Sequence, residues 1–95
     1  MKFSAETKIV QSSEVLSQEV NGETVLLDLT GEQYFGLDPV GTRVWQLTGD
    51  NKPLGEILAV LLREYDVDEA RLKSDLDELV ERLLQAGLVR MDSGA

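Results

Sequence analysis

Along the first half of the chain apolar side chains tend to alternate with polar ones, and along the second half they recur at helical spacing. Val15-Leu16-Ser17-Gln18-Glu19-Val20 and Glu23-Thr24-Val25-Leu26-Leu27-Asp28-Leu29 flank Asn21-Gly22. Asn-Gly between two such runs predicts a hairpin, because both residues tolerate the positive φ of a two-residue type I′ turn. In the second strand the two-residue period puts Val25, Leu27 and Leu29 on one face and Thr24, Leu26 and Asp28 on the other, and one of the two faces is core. Thr30-Gly31-Glu32 reads as the next turn, and Gln33-Tyr34-Phe35-Gly36-Leu37 as a short aromatic third strand, which completes a three-stranded antiparallel meander. Gly36 inside that strand predicts a bulge or a close backbone approach.

Asp38-Pro39 starts a helix: the carboxylate accepts from free first-turn amides, and proline at the first helical position loses nothing. This helix covers about Pro39 to Thr48, with Val40, Val44 and Trp45 as its apolar stripe. From Pro53 onward, Leu54, Ile57, Leu58, Leu61, Leu62 and Tyr65 keep to one helical face without a miss. A third helix begins after Asp68, an N-cap, carries Leu72, Leu76, Leu79, Val80, Leu83 and Leu84, and stops at Gly87. Leu88-Val89 is expected to fold back on the core. Residues 1–13 are polar apart from Phe3 and Ile9-Val10, and read as a loosely ordered arm with room for a short strand. Residues 14–91 form the domain, and Asp92 to Ala95 a frayed tail. The order β-β-β-α-α-α makes an α+β fold in which one sheet face packs on helices.

Composition narrows the chemistry. With no cysteine and no histidine among 95 residues, disulfides, thiolate catalysis, the commonest proton shuttle and the commonest metal ligands are all missing. No nucleophile stands with a base, and no paired carboxylates occupy contrasting environments. Asp75, Glu78 and Glu81 share a helical face but read as a solvated acidic face, not a metal site. Ser74 lies inside a helix and not at its start, unlike the attachment serine of a carrier protein. The expectation is a protein that is not an enzyme and uses no cofactor and no metal. Eighteen acids against nine bases give a net charge of -9, which repels phosphate backbones and anionic lipid. Neither nucleic acid nor a membrane is an expected partner, and a cytoplasmic location is the default for a chain without a signal segment or an apolar span. Eight acids fall between residues 64 and 82, opposed only by Arg71, Lys73 and Arg82.

Taken in order and spacing, these residues carry a resemblance to the PqqD-like domains, also called RiPP recognition elements. It rests on Val25 to Leu29, Thr30 to Asp38, Val40 to Leu47, Ile57 with Leu61, Glu64 to Asp68, Asp75 ahead of the leucine stripe, and Gly87-Leu88-Val89. Lys52-Pro53 stands where the family often has Ser or Thr, and Asp38 where asparagine is common. The resemblance implies a winged-helix-like fold with a three-stranded sheet followed by a three-helix bundle. It implies a non-catalytic adaptor that binds the leader segment of a ribosomally made precursor peptide. The leader adds as a strand to the third β-strand and packs against the third helix. Carried over by position, the peptide-binding residues are Glu32, Gln33, Tyr34, Phe35, Gly36 and Leu37 on the strand, and Arg71, Leu72, Asp75, Leu76 and Leu79 on the helix. The implied partners are the precursor peptide and the modifying enzymes to which it is presented. These are a leader peptidase and a cyclase in a lasso-peptide system, the favoured setting, or a radical SAM enzyme in pyrroloquinoline quinone synthesis. An open β-edge is compatible with a monomer or a weak homodimer. The winged-helix-like fold leaves a DNA-binding or protein-interaction module as the alternative.

Overall fold

The turn at Asn21-Gly22 forms with φ of 54° and 81°, the left-handed values that a type I′ turn requires. It joins β2 (Val15–Val20) to β3 (Glu23–Asp28), which pair in antiparallel register from Val15 opposite Asp28 to Val20 opposite Glu23. A second turn, in which Asp28 accepts from the Thr30 amide, leads to β4 (Gln33–Leu37). This strand pairs with β3 from Thr24 opposite Leu37 to Asp28 opposite Gln33. The sheet order is β2-β3-β4, so among the described residues β4 has no strand partner on the side away from β3. The computed structural model describes residues 2–92. Its remaining elements are β1 (Lys8–Gln11), α1 (Pro39–Gly49), α2 (Leu54–Glu64), α3 (Glu69–Gln85) and β5 (Val89–Asp92). The α+β fold expected from the sequence, an antiparallel meander followed by three helices, is the one observed.

The buried face of β3 is that of Thr24 and Leu26, both within 4% of full burial, and not the face of Val25, Leu27 and Leu29 that is richer in apolar residues. Leu26 lies with Leu37, Val44 and Leu47 in one core that continues through Leu54, Ile57, Leu61, Leu72, Leu76, Val80 and Leu83. Alternation then turns Phe35 and Leu37 of β4 inward and Tyr34 and Gly36 outward. Gly36 sits in unbroken register opposite Val25 with open space where a Cβ would be, so the expected bulge or close approach is not found.

The helix signals hold. Asp38 accepts from the Gly41 amide at 2.7 Å and Asp68 from the Arg71 amide at 3.0 Å. At the end of α3 the Gly87 amide donates to the Leu84 carbonyl and the Leu88 amide to that of Leu83, the paired bonds of a Schellman ending. No helix among the described residues is long and apolar enough to cross a membrane.

The arm supplies the short strand for which the sequence left room, but it is attached more firmly than expected. Lys8–Gln11 pair as β1 with β5, and Ile9 is 1% exposed in the core. Asp92, expected in the tail, is the last residue of β5 opposite Lys8, while residues 93–95 lie outside the described residues. Three contacts account for this ordering. Gln11 donates from Nε2 to the Trp45 carbonyl at 2.8 Å and to Thr48 Oγ1 at 3.0 Å, which ties β1 to the end of α1. Lys2 reaches α3, its amide on Asp77 and its ammonium on Glu81. The start of α2 has only Pro53 as its N-cap and no side-chain cap, and its Leu54 and Gly55 amides donate instead to the carbonyls of Thr7 at 2.9 Å and Ala5 at 2.8 Å. An arm with one buried apolar residue thereby satisfies helix amides that would otherwise go unpaired.

Gly55 makes that approach possible, since a Cβ there would stand 2.8 Å from the Ala5 Cβ and 3.1 Å from its carbonyl oxygen. Alanine is the better helix former by about 1 kcal/mol. Gly55→Ala is nevertheless expected to destabilise by about 1–2 kcal/mol, because the arm must be displaced from α2. A thermal melt of the variant checks this, and a raised midpoint would show that the arm does not cap α2.

Candidate functional site

Between β4 and α3 the chain leaves a cleft of about 750 Å³. Its floor is core turned to the surface: Leu37, Val44, Leu61, Leu72 and Leu76 are buried, with Phe35, Val40 and Leu79 half-buried above them. α3 aims Leu72, Leu76 and Leu79 here because they follow the three-to-four-residue spacing of one helical face. β4 aims Phe35 and Leu37 here because they share the face of the sheet that α1 covers. Asp38 and the Asp66–Asp68 connection close one end, where β4 runs into α1 and α2 into α3.

The rim is charged. Asp66, Asp68, Asp75 and Glu78 stand against Arg71 and Arg82. Arg71 and Asp75, one helical turn apart, approach only to 4.0 Å with both side chains largely exposed, a contact that adds little. Arg82 places its guanidinium 5.0 Å from the centre of the Phe35 ring, a cation–π contact that joins the helix wall to the strand wall. Behind the cleft, Arg43 of α1 grips Glu64 at the end of α2 through Nε at 2.8 Å and Nη2 at 2.7 Å. This bidentate pair holds the two helices that supply Val40, Val44 and Leu61. Hydrogen bonds from Arg43 are the main reason that Glu64 titrates below the ordinary glutamate range, outweighing the opposite effect of burial. The same pairing raises Arg43.

Of the residues expected from the sequence, Phe35, Gly36, Leu37, Arg71, Leu72, Asp75, Leu76 and Leu79 line this cleft together. Glu32, Gln33 and Tyr34 do not. Glu32 belongs to the turn before β4, with φ of 55°, and the Tyr34 side chain is 75% exposed on the opposite face of the sheet. Val40, Val44, Leu61, Asp66 to Asp68, Glu78 and Arg82 line the cleft without having been expected there. Helical spacing carried a signal for Arg82, which follows Asp75 and Leu79 along one face of α3. No such signal exists for the Asp66–Asp68 connection, whose place depends on how α2 and α3 pack. No group of three or more acidic side chains among the described residues is placed to hold a metal ion.

Comparison with known proteins gives a family and two solved structures. The model of the coenzyme PQQ synthesis protein D (PqqD) family matches residues 23–89. TbiB1, solved in complex with the TbiA(beta) leader peptide, is 36% identical, with 85% of this chain and 94% of that one aligned at a TM-score of 0.81. Lasso peptide synthetase B1, complexed with the leader peptide, is 23% identical, with 90% and 99% aligned at a TM-score of 0.76, a likeness of fold. No curated protein matches the chain.

The Arg43–Glu64 pair makes stability depend on acid. Because the folded state lowers the Glu64 pKa, the pair's contribution is present above the ordinary glutamate range and is lost as pH falls through the lowered value. Thermal midpoints of the wild type and Glu64→Gln, taken from neutral to acid pH, are expected to differ at neutrality and converge in acid. A gap unchanged down to strong acid would mean that this carboxylate is not what separates them.

Proposed function

The chain belongs to the PqqD family, and on that premise we propose that it is a RiPP recognition element, a non-catalytic adaptor that binds a precursor's leader in the cleft between β4 and α3. One observation carries this reading: a free strand edge and an apolar floor lie side by side. An extended peptide needs both, the edge for its backbone and the floor for its side chains. Both solved structures described above hold leader peptides, which supports the same assignment.

In this mechanism the leader lies antiparallel along Gln33–Leu37 and takes up the backbone amides and carbonyls of β4 that point away from β3. Tyr34 and Gly36, whose backbone groups alternate with those of Gln33, Phe35 and Leu37 that face β3, then contribute through the strand's backbone, whatever their side chains face. Alternate leader side chains enter the cleft over Leu72, Leu76 and Leu79, flanked by Phe35 and Leu37. Their burial offsets the cost of ordering a flexible peptide. The acid-rich rim favours a leader with Lys or Arg beside its apolar anchors, while Arg71 and Arg82 leave room for one acidic group. The bound precursor is presented to enzymes that do the chemistry, a leader peptidase and a cyclase in a lasso-peptide system, with pyrroloquinoline quinone synthesis as the other setting.

The test is a titration of the purified chain with a synthetic leader of the precursor encoded beside its gene. Binding in the micromolar range or tighter is expected, about -8 kcal/mol. Leu79→Glu puts a charge into the half-buried wall and is expected to weaken binding by about tenfold or more, equivalent to about 1.4 kcal/mol, with the thermal midpoint nearly unchanged. A wild-type chain that ignores the leader, or a Leu79→Glu chain that binds it as well, would refute this site.

A further inference from the structure

The outward face of the sheet is apolar where solvent should be. Leu16, Leu27 and Tyr34 form one row across β2, β3 and β4, and Val25 lies in the next row between Gln18 and Gly36. Leu16 is 56% exposed, Val20 55%, Val25 43%, Leu29 46% and Tyr34 75%, although nothing in the fold requires apolar residues on this side. A contiguous exposed patch of this kind marks an interaction surface.

The charge around it is of one sign. Between Lys8 and Arg43 the chain has no Lys or Arg, and Glu14, Glu23 and Glu32 stand at the ends of the strands bordering the patch, while Glu19 and Asp28 share the inward face of Thr24 and Leu26 and Asp38 caps α1. None of Glu14, Glu23 and Glu32 makes a salt bridge among the described residues. We propose that this face docks a protein whose surface is apolar at its centre and ringed by Lys and Arg, namely an enzyme that acts on the bound precursor. A second copy of the chain fits poorly, because pairing the face with itself would set these acids against one another.

Position supports the same partner. β4 is shared: its inward side chains line the cleft and its outward Tyr34 belongs to the patch. A leader strand added at the β4 edge extends the outward face by one strand, and its alternate side chains come to lie beside Tyr34 and Gly36. An enzyme seated on the patch touches the leader directly and binds better when the leader is present. This coupling rests on the leader-binding reading above.

The experiment uses the purified full chain, with the leader peptidase and the cyclase encoded beside its gene as probes, each with and without synthetic leader. At least one enzyme is expected to bind, more tightly with leader present and more weakly as salt rises. Leu16→Lys combined with Val25→Lys replaces two exposed side chains, so folding is retained, and is expected to lower enzyme affinity at least about tenfold while leader affinity stays unchanged. Glu23→Lys is expected to slow association with the enzyme. An enzyme that binds the double variant as well as the wild type, or neither enzyme binding a chain that does bind leader, overturns the docking surface and leaves leader recognition standing. Self-association of the wild type that the double variant abolishes assigns the face to a second copy and also overturns it. If the wild type binds an enzyme but not the leader, the failure lies with the leader cleft instead.

Discussion

Burial of Leu26 beneath α1 decides which way the side chains of the sheet point. β3 has two faces, and the inward one holds a threonine and a leucine while the outward one holds Val25 and Leu27. Counted by apolar residues alone, the strand would lie the other way up. A one-residue slip exchanges the faces of a strand completely, so the choice cannot be partial. With Leu26 inside, its neighbour Phe35 must look toward the helices and Tyr34 away from them. The cleft and the exposed patch are therefore two results of one alternation.

Much of this was legible in the sequence, and what was legible is local. Asn21-Gly22, Asp38-Pro39, Asp68 and Gly87 each act through bonds within a few residues of themselves, and each does in the structure what its chemistry implies. The leucines of α3 were readable as one stripe because helical spacing is a property of the chain. The face of β3 was not readable, because both faces carry apolar residues and the helices that settle the matter come later in the sequence. The arm was hidden for a related reason: β1 pairs with a strand near the other end of the chain, and polar residues with one buried isoleucine gave no hint of that pairing. Arg82 illustrates a third kind of loss. An arginine among exposed acids reads as solubility until a phenylalanine from another element is placed beneath it.

The cleft is not carved into a finished core; it is the core's open margin. Leu72 and Leu76 are buried by their own neighbours and also line the cleft, so a substitution there changes stability and any ligand contact together. Leu79 and Arg82, at the margin, are freer to vary.

The β1–β5 ribbon also sets a sequence of events in time. Its register joins Lys8 to Asp92, so a chain made from its amino end carries β1 without its strand partner until β5 is made, although α1 and the start of α2, which the arm also touches, come earlier. Hairpin and helices close over short distances and can form as they emerge, whereas the ribbon closes the longest loop between paired strands among the described residues, the most costly closure in chain entropy. The two ends of the chain are thereby joined by a contact that no single element makes on its own.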